Sequence, residues 1–282
     1  MQYTLASSFV LEGVSLHSGQ VVRAEFRPAP ENTGICFHVS AGGREHVLRP
    51  APESVGSTEL ATTISNGEAK VSTIEHILAG LRGMGVDNAA IHTEADEVPI
   101  LDGSARILVE ALQKTGLRRQ DAPRRIASVC APFRLENGAK KIFAAPFDGF
   151  RADYTIRFDN PVIGTQRFVF ELSPESFVRE IASARTFGFL RDVEYLRSHG
   201  LARGGSLDNV VVVDDKGVVN KEGLRFPDEF VRHKTLDFLG DMAMLGVPLL
   251  GSFTVECSGH GHNNAFLRAL AAQPGALRFE ER

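Results

Sequence analysis

The sequence predicts an α+β protein built from one β-then-α unit used twice. Three observations point there. Segments with apolar alternation precede a helical pattern in each half of the chain. The two halves also end in the same order. His76 sits on a predicted helix leading to MGV, an apolar strand, a DGSA loop and a final helix. His233 sits on one leading to LGV, the strand PLLGSFTV, an SGHGHNN loop and a final helix. Between them RRQDAPRR (118–125) is polar, charged and broken by Pro123, the composition of a linker. Such an order also arises by chance in α+β chains, so the repeat is an expectation, with halves at 1–120 and 121–282.

The elements follow in order. FVLEGVSLHSG and VVRAEFRPAP read as strands, with HSGQ as the hairpin turn between them. RPAPENTG is a loop and GICFHV a strand. A helix is expected over 73–82, with Ser72 as N-cap and Glu75 as its capping-box partner. Ile74, Ile77, Leu78 and Leu81 form its apolar stripe. VDNAAIHTE is a strand, EVPILDGSA a loop and ARILVEALQKTG a helix. The second half restarts with IASVCAPFRLENG, KKIFAAPF, ADYTIRF and QRFVFEL as strands. A helical pattern over 173–184 follows, then an inserted helix–loop–strand unit over 189–213.

Composition narrows the function. With 31 Lys+Arg against 35 Asp+Glu, the net charge of −4 gives no reason to expect nucleic acid as a partner. Cys36, Cys130 and Cys257 are widely spaced without a C-x-x-C pair, which argues against a thiolate zinc module or a disulfide framework and favours the cytoplasm. The N-terminus lacks the basic region of a signal peptide. No apolar run approaches the ~20 residues that span a bilayer. Nothing signals an oligomer, and a monomer is expected.

Three local patterns carry chemistry. In VRHKTLDFLGD (231–241), His233 and Asp237 are four residues apart and share one helix face, as ligands of a divalent metal would. Asp241 continues that stripe. Taken alone, a surface helix with ordinary charges explains the spacing better. In STIEH, His76 can ligate a metal while Glu75 reaches the attacking water, as in H-E-x-x-H enzymes; a capping Glu beside a half-buried His is equally consistent. In SGHGHNN (258–264) a Gly-flanked His can approach a substrate closely, though a polar turn has the same composition. Together the patterns reinforce one another. Two His and one Asp with an open fourth position suit a catalytic zinc site. If the halves pack face to face, it lies between them.

These segments together resemble the zinc-dependent UDP-3-O-acyl-N-acetylglucosamine deacetylase family of bacterial lipid A (lipopolysaccharide) biosynthesis. The markers are GVSLHSG (13–19), RPAPENTGI (27–35), STIEH (72–76), VPILDGSA (98–105), ARTFGFLRDVEYL (184–196), GLARGGSLDN (200–209), GLRFPDEFVRHKTLD (223–237) and SGHGHNN. The resemblance implies two similar halves, each a β-sheet layered against helices with a small inserted element. It implies His76, His233 and Asp237 as zinc ligands, with Fe²⁺ compatible with the same donors. Glu75 would be the base, His260 the general acid and Asp241 its support. Thr186 would stand at the oxyanion, with Lys234 and Phe187 at the substrate. The implied reaction is hydrolysis of the N-acetyl amide of a soluble sugar nucleotide, giving acetate and UDP-3-O-acyl-glucosamine. The 3-O-acyl chain needs an apolar groove, for which Phe189, Leu190, Val193, Ala202 and Val210 are candidates, with Gly204 and Gly205 allowing close passage of the chain. His262 replaces the family's usual apolar residue. A related hydrolase of another acylated amine, or a non-catalytic binding module, are the competing readings; the intact Glu75, His76, His233, Asp237 and His260 argue against the last.

Overall fold

The computed structural model describes residues 1–282 as a mixed α/β fold with two large sheets. β1 (Tyr3–Leu5) is followed by β2 (Phe9–Val14), β3 (Val21–Pro28), β4 (Ile35–Ala41) and β5 (Arg44–Leu48). A small sheet of β6 (Val55–Ser57), β7 (Thr63–Ser65) and β8 (Lys70–Val71) is inserted before α1 (Glu75–Gly83). β9 (Ala89–Thr93) then enters the centre of the first large sheet, ordered β2-β3-β9-β4-β5, and α2 (Arg106–Thr115) follows. β10 (Leu117–Arg119) returns to pair with β1.

The chain continues through β11 (Arg125–Val129), β12 (Phe133–Asn137), β13 (Lys140–Ala145), β14 (Phe150–Arg157) and β15 (Thr165–Glu171). A short helical turn, α3 (Pro174–Ser176), leads into the inserted unit of β16 (Phe187–Phe189), α4 (Val193–Ser198) and β17 (Val211–Val213). α5 (Glu229–Met242), β18 (Leu249–Glu256), α6 (His260–Ala272) and β19 (Leu277–Glu281) complete it. β18 lies between antiparallel β13 and parallel β14, as β9 lies between antiparallel β3 and parallel β4. In both sheets the strand after α1 or α5 is internal, with an antiparallel neighbour on one side and a parallel one on the other. Alternating burial along β3 and β14 puts one face of each sheet into the core. The core is one cluster of 53 buried residues contributed by both sheets and by α1 and α5.

Several expected elements differ. α1 begins at Glu75, and neither Ser72 nor Glu75 caps it. Ser72 instead accepts a hydrogen bond from the Thr63 hydroxyl at 2.8 Å, and the Glu75 carboxylate is drawn to the backbone of residue 62. Thr73 has φ 62°, a rare conformation for a β-branched residue, and its hydroxyl donates to Glu97 at 3.1 Å. The helix expected over 173–184 reduces to α3 and a π-turn, Phe177–Ile181. The 118–125 segment is anchored: it contains part of β10, Gln120 accepts from Asn88 at 2.8 Å, and Arg124 donates to Asp87 at 2.7 Å.

α1 packs directly on α5. Gly240 permits this contact, because a Cβ there would lie 2.1 Å from the Glu75 carbonyl oxygen and 3.0 Å from its Cα. Both clashing atoms are backbone, so no side chain can turn aside. Gly240→Ala is expected to destabilise the protein at or above the upper end of the ~1–3 kcal/mol typical of overpacking. A denaturation midpoint equal to that of the parent chain would contradict the close approach.

Candidate active site

α1 and α5 together hold the first cluster. His76 is the second residue of α1, while His233 and Asp237 lie one turn apart on α5. Asp237 Oδ1 is 3.4 Å from His76 Nε2 and 3.2 Å from His233 Nε2, and all three residues are buried. His233 Nδ1–H donates to the Ala184 carbonyl at 3.1 Å, which leaves the Nε2 lone pair facing the carboxylate. Burial pushes the His233 pKa down to about 3, keeping it neutral. Burial opposes ionisation of Asp237, but cationic Lys234 beside it helps hold its pKa well below the usual carboxylate range.

These are the protonation states a metal requires. Asp237 Oδ1 is buried without a hydrogen-bond partner. Converging lone pairs around an anionic oxygen call for a cation. Zinc with ligands at about 2.0–2.1 Å has tetrahedral edges of roughly 3.3 Å, close to both measured separations. The trio therefore fits a divalent metal.

A hydrogen-bonded network of titratable side chains adjoins it. Glu75 is buried and its pKa is raised, chiefly by burial, against the pull of His260 and His76. Opposite it, His260 Nδ1 donates to Asp241 Oδ2 at 2.9 Å. Burial would lower the His260 pKa; Asp241 outweighs it and, with Glu75 and Asp237, raises it to about 9. Asn263 Nδ2 donates to the same Asp241 oxygen at 2.7 Å. Thr62 joins the two sides: its N–H donates to Glu75 Oε2 at 3.0 Å and its hydroxyl to Asp241 Oδ1 at 2.6 Å. Sequence reasoning missed Thr62, and no local motif marks it.

His260 is the first residue of α6, with Gly259 as N-cap, so the expected SGHGHNN loop is largely helix. This start aims His260 at Asp241. His262 is also buried, but its Nε2 lacks a partner and the residue stands outside the cluster of metal-ligand atoms.

Two cavities that share lining residues open here. One, of about 430 Å³, is lined by Glu75, His76, Asp237, His260, Thr186 and Lys234. The other, of about 870 Å³, is mostly apolar and includes Phe187, Phe189, Leu190, Val193, Ala202, Gly205 and Val210. Thr186, Phe187, His233 and Lys234 border both. The Lys234 ammonium donates to Asp237 Oδ2 at 2.7 Å. Buried Arg185 fixes the strand entering this junction through Glu229, with Nε to Oε1 at 2.9 Å. Gly204 does not line the apolar cavity. A Cβ there would meet the Ser15 carbonyl oxygen at 2.1 Å, so this glycine seats the insert against the loop after β2.

Residues 2–272 match the model of a family described as UDP-3-O-acyl N-acetylglycosamine deacetylase. The chain is 53% identical over 270 residues to the UDP-3-O-acyl-N-acetylglucosamine deacetylase of Oleidesulfovibrio alaskensis, covering 96% of this chain and 88% of that one. To the protein of the same name from Pseudomonas entomophila it is 46% identical over 283 residues, covering 98% and 91%. To that of Acidithiobacillus ferrooxidans it is 44% identical over 280 residues, covering 99% and 92%.

Proposed function

The chain belongs to the UDP-3-O-acyl N-acetylglycosamine deacetylase family, and we propose that it hydrolyses the N-acetyl amide of a UDP-3-O-acyl-N-acetylglucosamine in lipid A biosynthesis. The products are acetate and the free 2-amino sugar nucleotide. The observation that carries this reading is the convergence of Glu75, His260 and the His76–His233–Asp237 trio around one cavity beside an apolar groove.

The trio is the proposed zinc site, and Fe²⁺ suits the same donors. When bound, the metal supplies a water of pKa near ~7 and polarises the acetamide carbonyl. Glu75 accepts the proton of the attacking water. Its raised pKa brings it closer to the operating pH, where a general base works best. Thr186 lines the same cavity, and its hydroxyl would donate to the developing oxyanion. An amine leaves readily only when protonated, and His260 delivers that proton. Lys234 and Phe187, at the junction of the cavities, position the sugar nucleotide, and the larger cavity takes the acyl chain.

No helix is long and apolar enough to cross a membrane. We place the enzyme in the cytoplasm as a monomer of two similar halves, divided near residue 120. The direct test is acetate release from substrates of graded 3-O-acyl length, with metal content measured on the same sample. No release from any of them would overturn the reading.

Asp241 tunes the acid. Removing its charge lowers the His260 pKa, so the acid loses its proton at lower pH. Asp241→Asn is expected to shift the alkaline limb of the kcat/KM profile to lower pH. An unmoved alkaline limb would remove Asp241 from this role.

A further inference from the structure

A second group of metal-binding donors lies on the opposite face of the first sheet, away from α1. In β4, Phe37 and Val39 are fully buried, whereas His38 points outward. The parallel register of β4 and β9 sets His38 opposite His92. The antiparallel register of β4 and β5 sets Glu45 opposite Ser40, one diagonal step from His38 on the same face. His38 Nδ1 is 3.2 Å from Glu45 Oε2, and His92 Nδ1 is 3.4 Å from Glu45 Oε1. The donor atoms of the three residues lie within 4.8 Å of one another.

Two details make this more than a surface charge pair. His38 Nδ1 is buried and lacks a hydrogen-bond partner. Its other nitrogen, Nε2, lies 3.5 Å from Cys36 Sγ, so the unsatisfied nitrogen is the one turned toward Glu45. The two imidazole nitrogens approach different oxygens of Glu45, at separations near the roughly 3.3 Å edge of a tetrahedral zinc site, so a turn of that exposed carboxylate brings one oxygen to an ion shared by both rings. The His38 and His92 side chains are 20% and 22% exposed, which lets an ion enter and leaves a place for water.

We propose that His38, Glu45 and His92 form a peripheral site for a borderline divalent cation of the Zn²⁺ type. Two imidazoles and a carboxylate suit such an ion better than Mg²⁺ or Ca²⁺, which favour all-oxygen shells. The imidazoles stack with centroids 4.2 Å apart and planes 23° apart. Their lone pairs converge only after rotation about the Cβ–Cγ bonds, so this site binds more weakly than the one between α1 and α5. β5 is the outermost strand of its sheet. Ligation therefore ties an edge strand to the two strands inside it and takes no part in hydrolysis.

The test is a Zn²⁺ titration of the metal-stripped full chain, followed by elemental analysis and thermal melting. The parent chain is expected to bind two ions, one tightly and one more weakly, with the second raising the melting temperature. His92→Ala and Glu45→Gln are each expected to lose the weaker ion, keep the tight one and keep deacetylase activity. Glu45 is exposed, so Glu45→Gln reports on binding without threatening the fold. A single ion in the parent chain, or two in both variants, would overturn the proposal. Loss of the tight ion alone in these variants would assign that ion to the peripheral group and overturn the proposed order of affinities.

Discussion

Glu75→Gln is expected to lower kcat by roughly 10²–10⁴, the usual contribution of a general base, and to leave metal content unchanged. The substitution is a narrow one. The Gln carbonyl oxygen can still accept the Thr62 N–H, which holds the present carboxylate at 3.0 Å, so the side chain keeps its place. Only the ability to take a proton is lost. Gly240 packs against the residue 75 backbone, which the change does not touch. Full activity in Glu75→Gln, measured as acetate release, would sink the assignment of the base.

His76→Ala separates metal binding from proton transfer. It removes one of three donors, and the one that α1 contributes. The expected loss of zinc affinity exceeds the ~10–100-fold typical of disturbing a partner behind the ligands, and deacetylation falls with it. Circular dichroism should show an intact fold, since His233 and Asp237 retain their places on α5. Zinc content equal to the parent's would refute the ligand role. The two variants thus differ in kind: one holds metal and fails at chemistry, the other fails first at metal.

Much of this site was legible because helices translate spacing into geometry. His233 and Asp237, four residues apart, had to share a face of α5, and Glu75 had to adjoin His76. The long-range joins were not legible in that way. Thr62 is 179 positions from Asp241, and only packing brings its hydroxyl there. The expected capping box at Ser72 and Glu75 failed for the same reason: a tertiary partner at residue 62 claimed the carboxylate a local rule assigned to the helix end. SGHGHNN has the composition of a turn, yet six of its seven residues stand at the cap or start of α6 (259–264). His38, Glu45 and His92 fall on three strands whose register no single segment reveals.

The sharing of donors between α1 and α5 also orders events in time. During synthesis His76 emerges more than 150 residues before His233 and Asp237 do. A nascent chain that has folded only its first sheet offers a lone histidine from this trio, too few donors to hold a metal firmly. Capture has to wait until α5 docks, at the step where Gly240 meets the backbone of Glu75. On the proposed ligand assignment metal loading is then a late event in maturation, and an ion retained by the trio certifies that α1 and α5 have come together.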